Sequence, residues 1–330
     1  MALKGFAGFA IRKASGAVIT IFVIICANFL IFRLVPGDPI RLLFRDPRAS
    51  AAAMAALRAR FGLDGTLWDQ FVAYLRQLFL HRDMGLSFVY GEPVWDVIAG
   101  RIPQTLLLVL IGLFIAGVVG TLLGAMAGWK TGTKFDSVVV SFSLSMYSIP
   151  TFAMGIILLM IFAVTLGLFP LGGMYTRGAD LTGWAYVRDV ARYLVLPTAA
   201  IIVWYLGQYV IITRSSMQDV LDQDYIAAAR TKGLKESTVL RRHALRNAIL
   251  PVVTITGLDL AFAIAGVIQV ETVFRWPGIG RLMYESVLKR DYPVLQGLFL
   301  VFAVVIVLAN LLVDLTYGYL DPRIKVGGGS

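Results

Sequence analysis

The sequence contains one cysteine, Cys26, and two histidines, His81 and His243. A lone cysteine inside an apolar run closes no internal disulfide, and so few Cys and His residues supply no zinc-type cluster. No GxxxxGK[ST] segment is present, so the chain has no phosphate-cradling loop of its own for hydrolysing ATP. Charge is also scarce: 15% of residues are Asp, Glu, Lys or Arg, against about a quarter in soluble domains. What is abundant is apolar surface, with 58% hydrophobic residues and a mean hydropathy of +0.78, which makes this a polytopic membrane protein. The formal charge of +10 is spread over several loops rather than gathered into one aromatic-laced patch, which argues against nucleic acid. The scattered methionines read as core filler rather than a metal-binding box.

Apolar windows long enough to cross a bilayer fall at residues 14–34, 105–128, within 137–168, and at 194–212, 251–270 and 297–317. Six transmembrane helices are therefore expected in an all-α chain. Lys4, Arg12 and Lys13 precede the first window without a small-residue cleavage site, so that helix is read as uncleaved. Residues 327–330, GGGS, have the composition of a linker and are set apart from the fold. Lys130, Lys134, the basic stretch near residue 240, Arg323 and Lys325 share a side with the N-terminus, which the positive-inside rule makes cytoplasmic, by a modest bias because Arg177, Arg188, Arg192, Arg275, Arg281, Lys289 and Arg290 lie on the other side. This places His81 and His243 on opposite sides of the membrane.

The segments are 1–34, a tail and first span; 35–103, an external loop region; 104–318, a five-helix core; and 319–330, a cytoplasmic tail. The external loop opens with the turn Pro36-Gly37-Asp38-Pro39, continues into an alanine-rich helix over 50–61, and then repeats Trp68, Phe71, Tyr74, Leu75 and Leu78 at helical spacing. It serves either as a cap for a substrate-delivering protein or as a cover over the spans. Pro150 removes a backbone donor inside the third window and should kink it. Ser141, Ser145 and Ser148 then share a face that either lines a polar pathway or lets helices pack closely. In the fifth window, Thr256, Asp259, Ala263 and Gly266 share a small, polar face. A carboxylate in mid-span should not face lipid, so Asp259 meets either the pathway or a neighbouring helix.

One polar, charge-dense island of its length interrupts the apolar second half at residues 224–251. Asp222 or Asp224 can cap a short helix carrying Ala227, Ala228 and Ala229, with Gly233 as its left-handed stop. A second helix is expected over 236–247, with Leu240, Ala244, Leu245 and Ala248 forming a narrow apolar stripe. Three small residues on the first helix form a smooth surface that another protein's groove could approach closely.

Within this island, Asp224, Tyr225, Ile226, Ala229, Arg230, Lys232, Gly233 and Leu234, followed by His243–Asn247, Ala248, Leu250 and Pro251, resemble the cytoplasmic coupling loop of ATP-binding-cassette importer permeases. The resemblance is closest to the dipeptide, oligopeptide and nickel permease family. Ala228, Ala229 and Gly233 fit the general importer pattern, but Ala227 stands where that pattern has an acidic residue. The segments around Asp83–Ser87 and Val94–Thr105, and the run Glu271–Arg281 followed by Arg290–Pro293, resemble further parts of the same family. The Pro-Gly of the latter run suits a re-entrant or interfacial element, with Trp276 at the interface.

The resemblance implies a type I importer permease fold in a bacterial or archaeal inner membrane, with both termini cytoplasmic and a coupling loop over 213–250. Asp224, Tyr225, Ala228, Ala229, Arg230, Lys232, Gly233, Leu234 and His243 would meet the ATPases. It also implies a second homologous permease, two partner ATPases carrying ATP and Mg, an external solute-binding protein and a peptide cargo, with no cofactor on this chain. Nickel, a haem precursor, or a small glycopeptide or oligosaccharide are alternative cargoes. The alternative of another class is an ion-gradient transporter, which would show inverted repeats with broken helices and need no ATPase.

Overall fold

The computed structural model describes residues 2–34 and 65–320, with the side chains of residues 2–7, 254, 261–266 and 316–320 excepted. In chain order the helices are α1 (Ala2–Leu34), α2 (Leu67–Arg76), α3 (Val94–Ala99), α4 (Ile102–Trp129), α5 (Lys134–Tyr147), α6 (Thr151–Leu158) and α7 (Gly183–Leu221). Next come α8 (Asp224–Thr231), a composite α9 over residues 236–248, α10 (Leu250–Gly266), α11 (Ile268–Val273), α12 (Ile279–Lys289) and α13 (Tyr292–Leu320). Among the described residues there is no strand, only a single bridge pairing Leu86 with Pro93. The expected Pro36–Pro39 turn and the alanine-rich helix over 50–61 lie outside the described residues.

Among the described residues, four helices are long and apolar enough to cross a membrane, and a fifth crossing is formed if α5 and α6 count as one broken span. The break follows from Pro150: it cannot donate to the helix ladder and pushes the preceding residue out of the helical region. The result is a 99° bend between α5 and α6, sharper than the kink expected. α6 then passes into a π-helical turn at Leu159–Thr165. The fifth apolar window yields α10, of 17 residues, and the separate short helix α11. At about 1.5 Å per residue, α10 alone falls short of the roughly 30 Å hydrocarbon layer.

The described residues form two compact units, one comprising Gln104–Gly280 and the other the residues up to Pro103 with those from Arg281 onward. In the first, α4 lies against the 39-residue α7, whose buried positions include Ala200, Ile201, Tyr205, Tyr209, Val210 and Met217. The approach is close because Gly112, Gly120, Gly124 and Gly128 line the contact. A Cβ on Gly120 would lie 2.7 Å from Tyr209 Cβ, and one on Gly124 would lie 2.5 Å from the Val210 carbonyl oxygen. This spacing is the small-residue packing that replaces hydrophobic drive between helices in lipid.

In the second unit, α1 runs along α13, joined by a Phe32–Phe299 ring contact at 5.7 Å, an Asn28 amide donating to the Gln296 carbonyl at 3.0 Å, and a Lys13–Asp314 ion pair at 2.8 Å. The helical repeat from Trp68 to Tyr74 forms α2, started by Thr66 and Asp69 in a reciprocal capping box. Its Phe71 and Tyr74 pack on Phe29 of α1.

Buried carboxylates fasten the loops inside each unit. Asp291, fully buried, accepts from Ser87 Oγ at 2.5 Å and from the backbone N–H groups of Phe88 and Val89 at 3.0 and 3.1 Å. Glu271, also fully buried, accepts from Thr105 Oγ1 at 2.6 Å, and the same hydroxyl accepts from the Ile279 N–H at 2.9 Å. Trp276, expected at a membrane interface, packs inside the protein. It is buried and donates its indole N–H to the Gln104 carbonyl at 2.9 Å, because the Pro-Gly break turns it inward.

Candidate functional site

The polar island folds as helix, glycine, helix. The expected Asp cap is not formed: Gln223 is the N-cap of α8 and makes no side-chain cap bond, while Asp222 terminates α7 and Asp224 is already in the first turn. There the Asp224 charge faces the positive end of the helix dipole. Gly233 takes φ +74° and its N–H donates to the Arg230 carbonyl at 2.9 Å, so the expected left-handed stop is present.

The alanines divide. Ala227 and Ala228 are exposed, but Ala229 is buried with Ile226 against Val239, Ala244, Ala248, Met217 and Ala125. The smooth outer face is therefore narrower than three alanines. Ala229 is small because α8 sits close on its own neighbours, with Ile226 one turn earlier on the same face. In α9 the stretch Val239–Ala244 is π-helical, which turns Val239 inward beside Ala244 and Ala248 and leaves Leu240 and Leu245 only partly buried. Arg241, Arg242 and Arg246 point outward and His243 is half-buried.

Asp224, Tyr225, Arg230, Lys232, Gly233 and Leu234 are exposed. Two of these hold the pair of helices together: the Tyr225 hydroxyl accepts from the Asn247 amide at 2.8 Å, and Arg230 pairs with Glu236 at 3.1 Å while lying over the Trp129 ring. Glu236 thus supplies Arg230 with a carboxylate from the second helix, where the importer pattern would place an acid at position 227.

A network not foreseen from sequence ties the turn before α5 to the end of α7. Asp136 takes Arg214 in a two-pronged contact, Nε at 2.5 Å and Nη2 at 2.8 Å, and also accepts from the Gly132 N–H at 3.0 Å. Arg214 continues to Gln218 and Gln218 to Thr131, both at 3.1 Å. Thr133 caps α5 by accepting from the Asp136 N–H. The Thr-x-x-Asp spacing was the one local signal of this arrangement.

Of the candidate pathway residues, Ser141, Ser145 and Ser148 are all exposed on one side of α5, while Ser143 is buried and its backbone lies against Gly207 of α7. Thr256 donates to the Val252 carbonyl one turn earlier at 2.8 Å. Asp259 faces α7, with Gln208 Nε2 3.4 Å from each carboxylate oxygen. Tyr209, buried, stands beside Asp259 and Thr256. The surroundings of Ala263 and Gly266, which complete the expected polar face, lie outside what is described.

Helices long and apolar enough to span a membrane, with a compact polar helix pair packed on the end of α7, are the features of a membrane-transport subunit. The chain belongs to the binding-protein-dependent transport system inner membrane component family: that family's model matches residues 120–326, and its N-terminal companion matches residues 6–109. It is 36% identical over 331 residues to a di/tripeptide transport system permease protein, DppB, of Pseudomonas aeruginosa, covering 96% of this chain and 98% of that one. It is 37% identical to the dipeptide permease DppB of Escherichia coli, with the same coverage. The oligopeptide permease AppB of Bacillus subtilis is 36% identical, over 97% of this chain and 99% of that one. A solved amino-acid ABC transporter chain matches at a TM-score of 0.44 and 17% identity, over 70% of this chain and 93% of that one.

Proposed function

We propose that this chain is one of two permease subunits of an ATP-driven importer of di- or oligopeptides. The observation that carries the reading is identity of 36–37% to dipeptide and oligopeptide permeases, sustained over at least 96% of the chain. In this reading the chain crosses the inner membrane six times, the sixth crossing being made by α10 with α11, and both termini face the cytoplasm. α8 sits in a groove on one of two ATPase subunits, which bind and hydrolyse ATP with Mg, and an external solute-binding protein delivers the peptide.

The geometry supports a lever. Asp224, Tyr225, Ala228, Arg230, Lys232, Gly233 and Leu234 form the outer face of α8, with His243 flanking it on α9. Ala229 fastens α8 to the end of α7 through Ile226 and Met217. The Asp136–Arg214 contact fastens α7 to α5. A push on α8 therefore moves α5 and α7 together, as rigid-body access changes require. The exposed serines 141, 145 and 148 face the second permease or the passage between the two chains.

The test is co-expression with the companion permease, the two ATPases and the binding protein, followed by reconstitution into liposomes. ATP-dependent accumulation of a radiolabelled dipeptide, lost when either ATPase or the binding protein is omitted, is the expected result. Full peptide transport by this chain without ATP would overturn the reading.

A further inference from the structure

We propose that Asp259, framed by Gln208, Thr256, Tyr205 and Tyr209, receives the ammonium group of the passing peptide; this rests on the peptide reading above and adds a site to it. An ionised carboxylate in an apolar span is costly and marks a pathway or a specific partner. The loop carboxylates of this chain have close partners: Asp291 accepts three hydrogen bonds at 2.5–3.1 Å, and Asp136 holds an arginine and a backbone N–H. Asp259 is half-buried; the Gln208 amide stands at the 3.4 Å limit of hydrogen bonding, and the Tyr209 hydroxyl lies beside the carboxylate outside ordinary hydrogen-bond geometry. Among the described residues, neither group approaches it as closely as the donors of Asp136 and Asp291 approach theirs.

A second observation points the same way. Among the described residues the Tyr209 hydroxyl is enclosed beside Asp259 and Thr256 and meets both outside ordinary hydrogen-bond geometry. A buried hydroxyl left in that state is costly unless something visits it. The surrounding rings are contiguous: Tyr147 stacks on Trp204 at 5.4 Å, Trp204 meets Tyr205 edge-on at 4.7 Å, and Tyr205 lies 6.2 Å from Tyr209. Aromatic faces with a carboxylate at one end are the chemistry that recognises an ammonium ion. The carboxylate replaces its hydration and the rings tolerate its partial desolvation. A peptide amino terminus carries this group whatever its side chains, so the site would favour peptides as a class without reading their sequence.

The experiment uses the assembled complex in liposomes with Gln208→Cys in a Cys26→Ser background, following the mass of this chain. The cationic reagent 2-aminoethyl methanethiosulfonate is compared with its anionic 2-sulfonatoethyl counterpart. Asp259→Asn should lower the cationic-to-anionic rate ratio about tenfold, the size of one charge-assisted hydrogen bond. An unchanged ratio, or a cysteine that neither reagent reaches, overturns the proposal and leaves Asp259 as a tie between α7 and α10. In the uptake arm, Asp259→Asn should reduce peptide accumulation about tenfold and Asp259→Glu should restore most of it, with assembly checked by co-purification of the ATPases. Equal losses in the two variants, or a complex that no longer assembles, also overturn it. If the unmodified complex moves no peptide, the peptide reading fails, and the reagent ratio still decides whether the site attracts an ammonium ion.

Discussion

The contact of α4 with α7 makes a sharp prediction at Gly124. A Cβ there would stand 2.5 Å from the Val210 carbonyl oxygen, 2.8 Å from Thr213 Cβ and 3.1 Å from Val210 Cα. The first distance is about 0.9 Å short of the 3.4 Å at which ordinary contact begins. Two of the three atoms are backbone, so no rotamer change relieves the clash and the helices must separate. Overpacking of this kind costs about 1–3 kcal/mol. Gly117 is the internal control: on the same helix, its Cβ would meet only Tyr209 Cε2, at 3.9 Å. Both Gly→Ala changes gain the same helix propensity, about 1 kcal/mol, so their difference isolates packing. At about 2–4 °C per kcal/mol for a core of this size, a gap of roughly 2 kcal/mol separates Gly124→Ala from Gly117→Ala by about 4–8 °C. The assay is thermal stability of the purified complex by size-exclusion fluorescence, with uptake measured in parallel. Equal melting of the two variants would refute the close approach of α4 and α7.

Three further outcomes follow from the other contacts. Asp291→Ala strips the acceptor from Ser87 Oγ and the Phe88 N–H and leaves the Val89 N–H only Ser87 Oγ, at about 1–3 kcal/mol for each group left buried and unpaired; the 87–91 segment should become protease-sensitive, Asp291→Asn less so, and wild-type resistance of the Ala variant would contradict the clasp. Gly233→Val should leave the chain inserted but abolish ATP-driven uptake, since there is space around Gly233 yet its φ of +74° costs a β-branched residue about 1–2 kcal/mol; Gly233→Asn should keep most activity, and wild-type uptake by the Val variant would refute the left-handed stop as a requirement. Cysteines at Arg241 or Arg242, in a Cys26→Ser background, should escape an impermeant maleimide added to intact cells; efficient labelling would invert the topology.

Much of the helical frame was legible because a lipid-spanning helix must be written as a long apolar run, and because Pro150 acts through its own missing N–H. The glycine stop at residue 233 was legible for the same local reason. The inward turn of Ala229 was not: Ile226 and Ala229 face in because Val239, Ala244 and Met217 wait there, and which side of a short helix meets its neighbours is decided by the chain that returns. Long-range pairs were the least legible. Asp136 and Arg214 are 78 positions apart, and Ser87 and Asp291 are 204 apart, so no window of sequence contains both partners. One packing signal did lie in plain sight, the four-residue repeat of Gly120, Gly124 and Gly128, which is how small-residue helix contacts are written.

The position of each acidic group sorts what it does. Asp136, Glu271 and Asp291 sit where one helix gives way to the next, beside turns whose N–H groups or hydroxyls need acceptors, and each buried carboxylate there is met by donors at 2.5–3.1 Å. Burial of a charge is tolerable on those terms, and removal of its partners is what destabilises. Asp259 has no turn to hold. It lies within α10, whose backbone N–H groups are committed to the helix ladder, and it faces an amide at 3.4 Å and the Tyr209 hydroxyl, which lies beside it outside ordinary hydrogen-bond geometry. Among the described residues, these three carboxylates tie helix junctions closely, whereas Asp259, between α7 and α10, meets the Gln208 amide only at 3.4 Å. Since α7 continues directly to α8, a small rotation of α7 driven from α8 would move Gln208, Tyr205 and Tyr209 relative to Asp259. The element that would receive the ATPase stroke therefore also carries most of the groups surrounding that carboxylate.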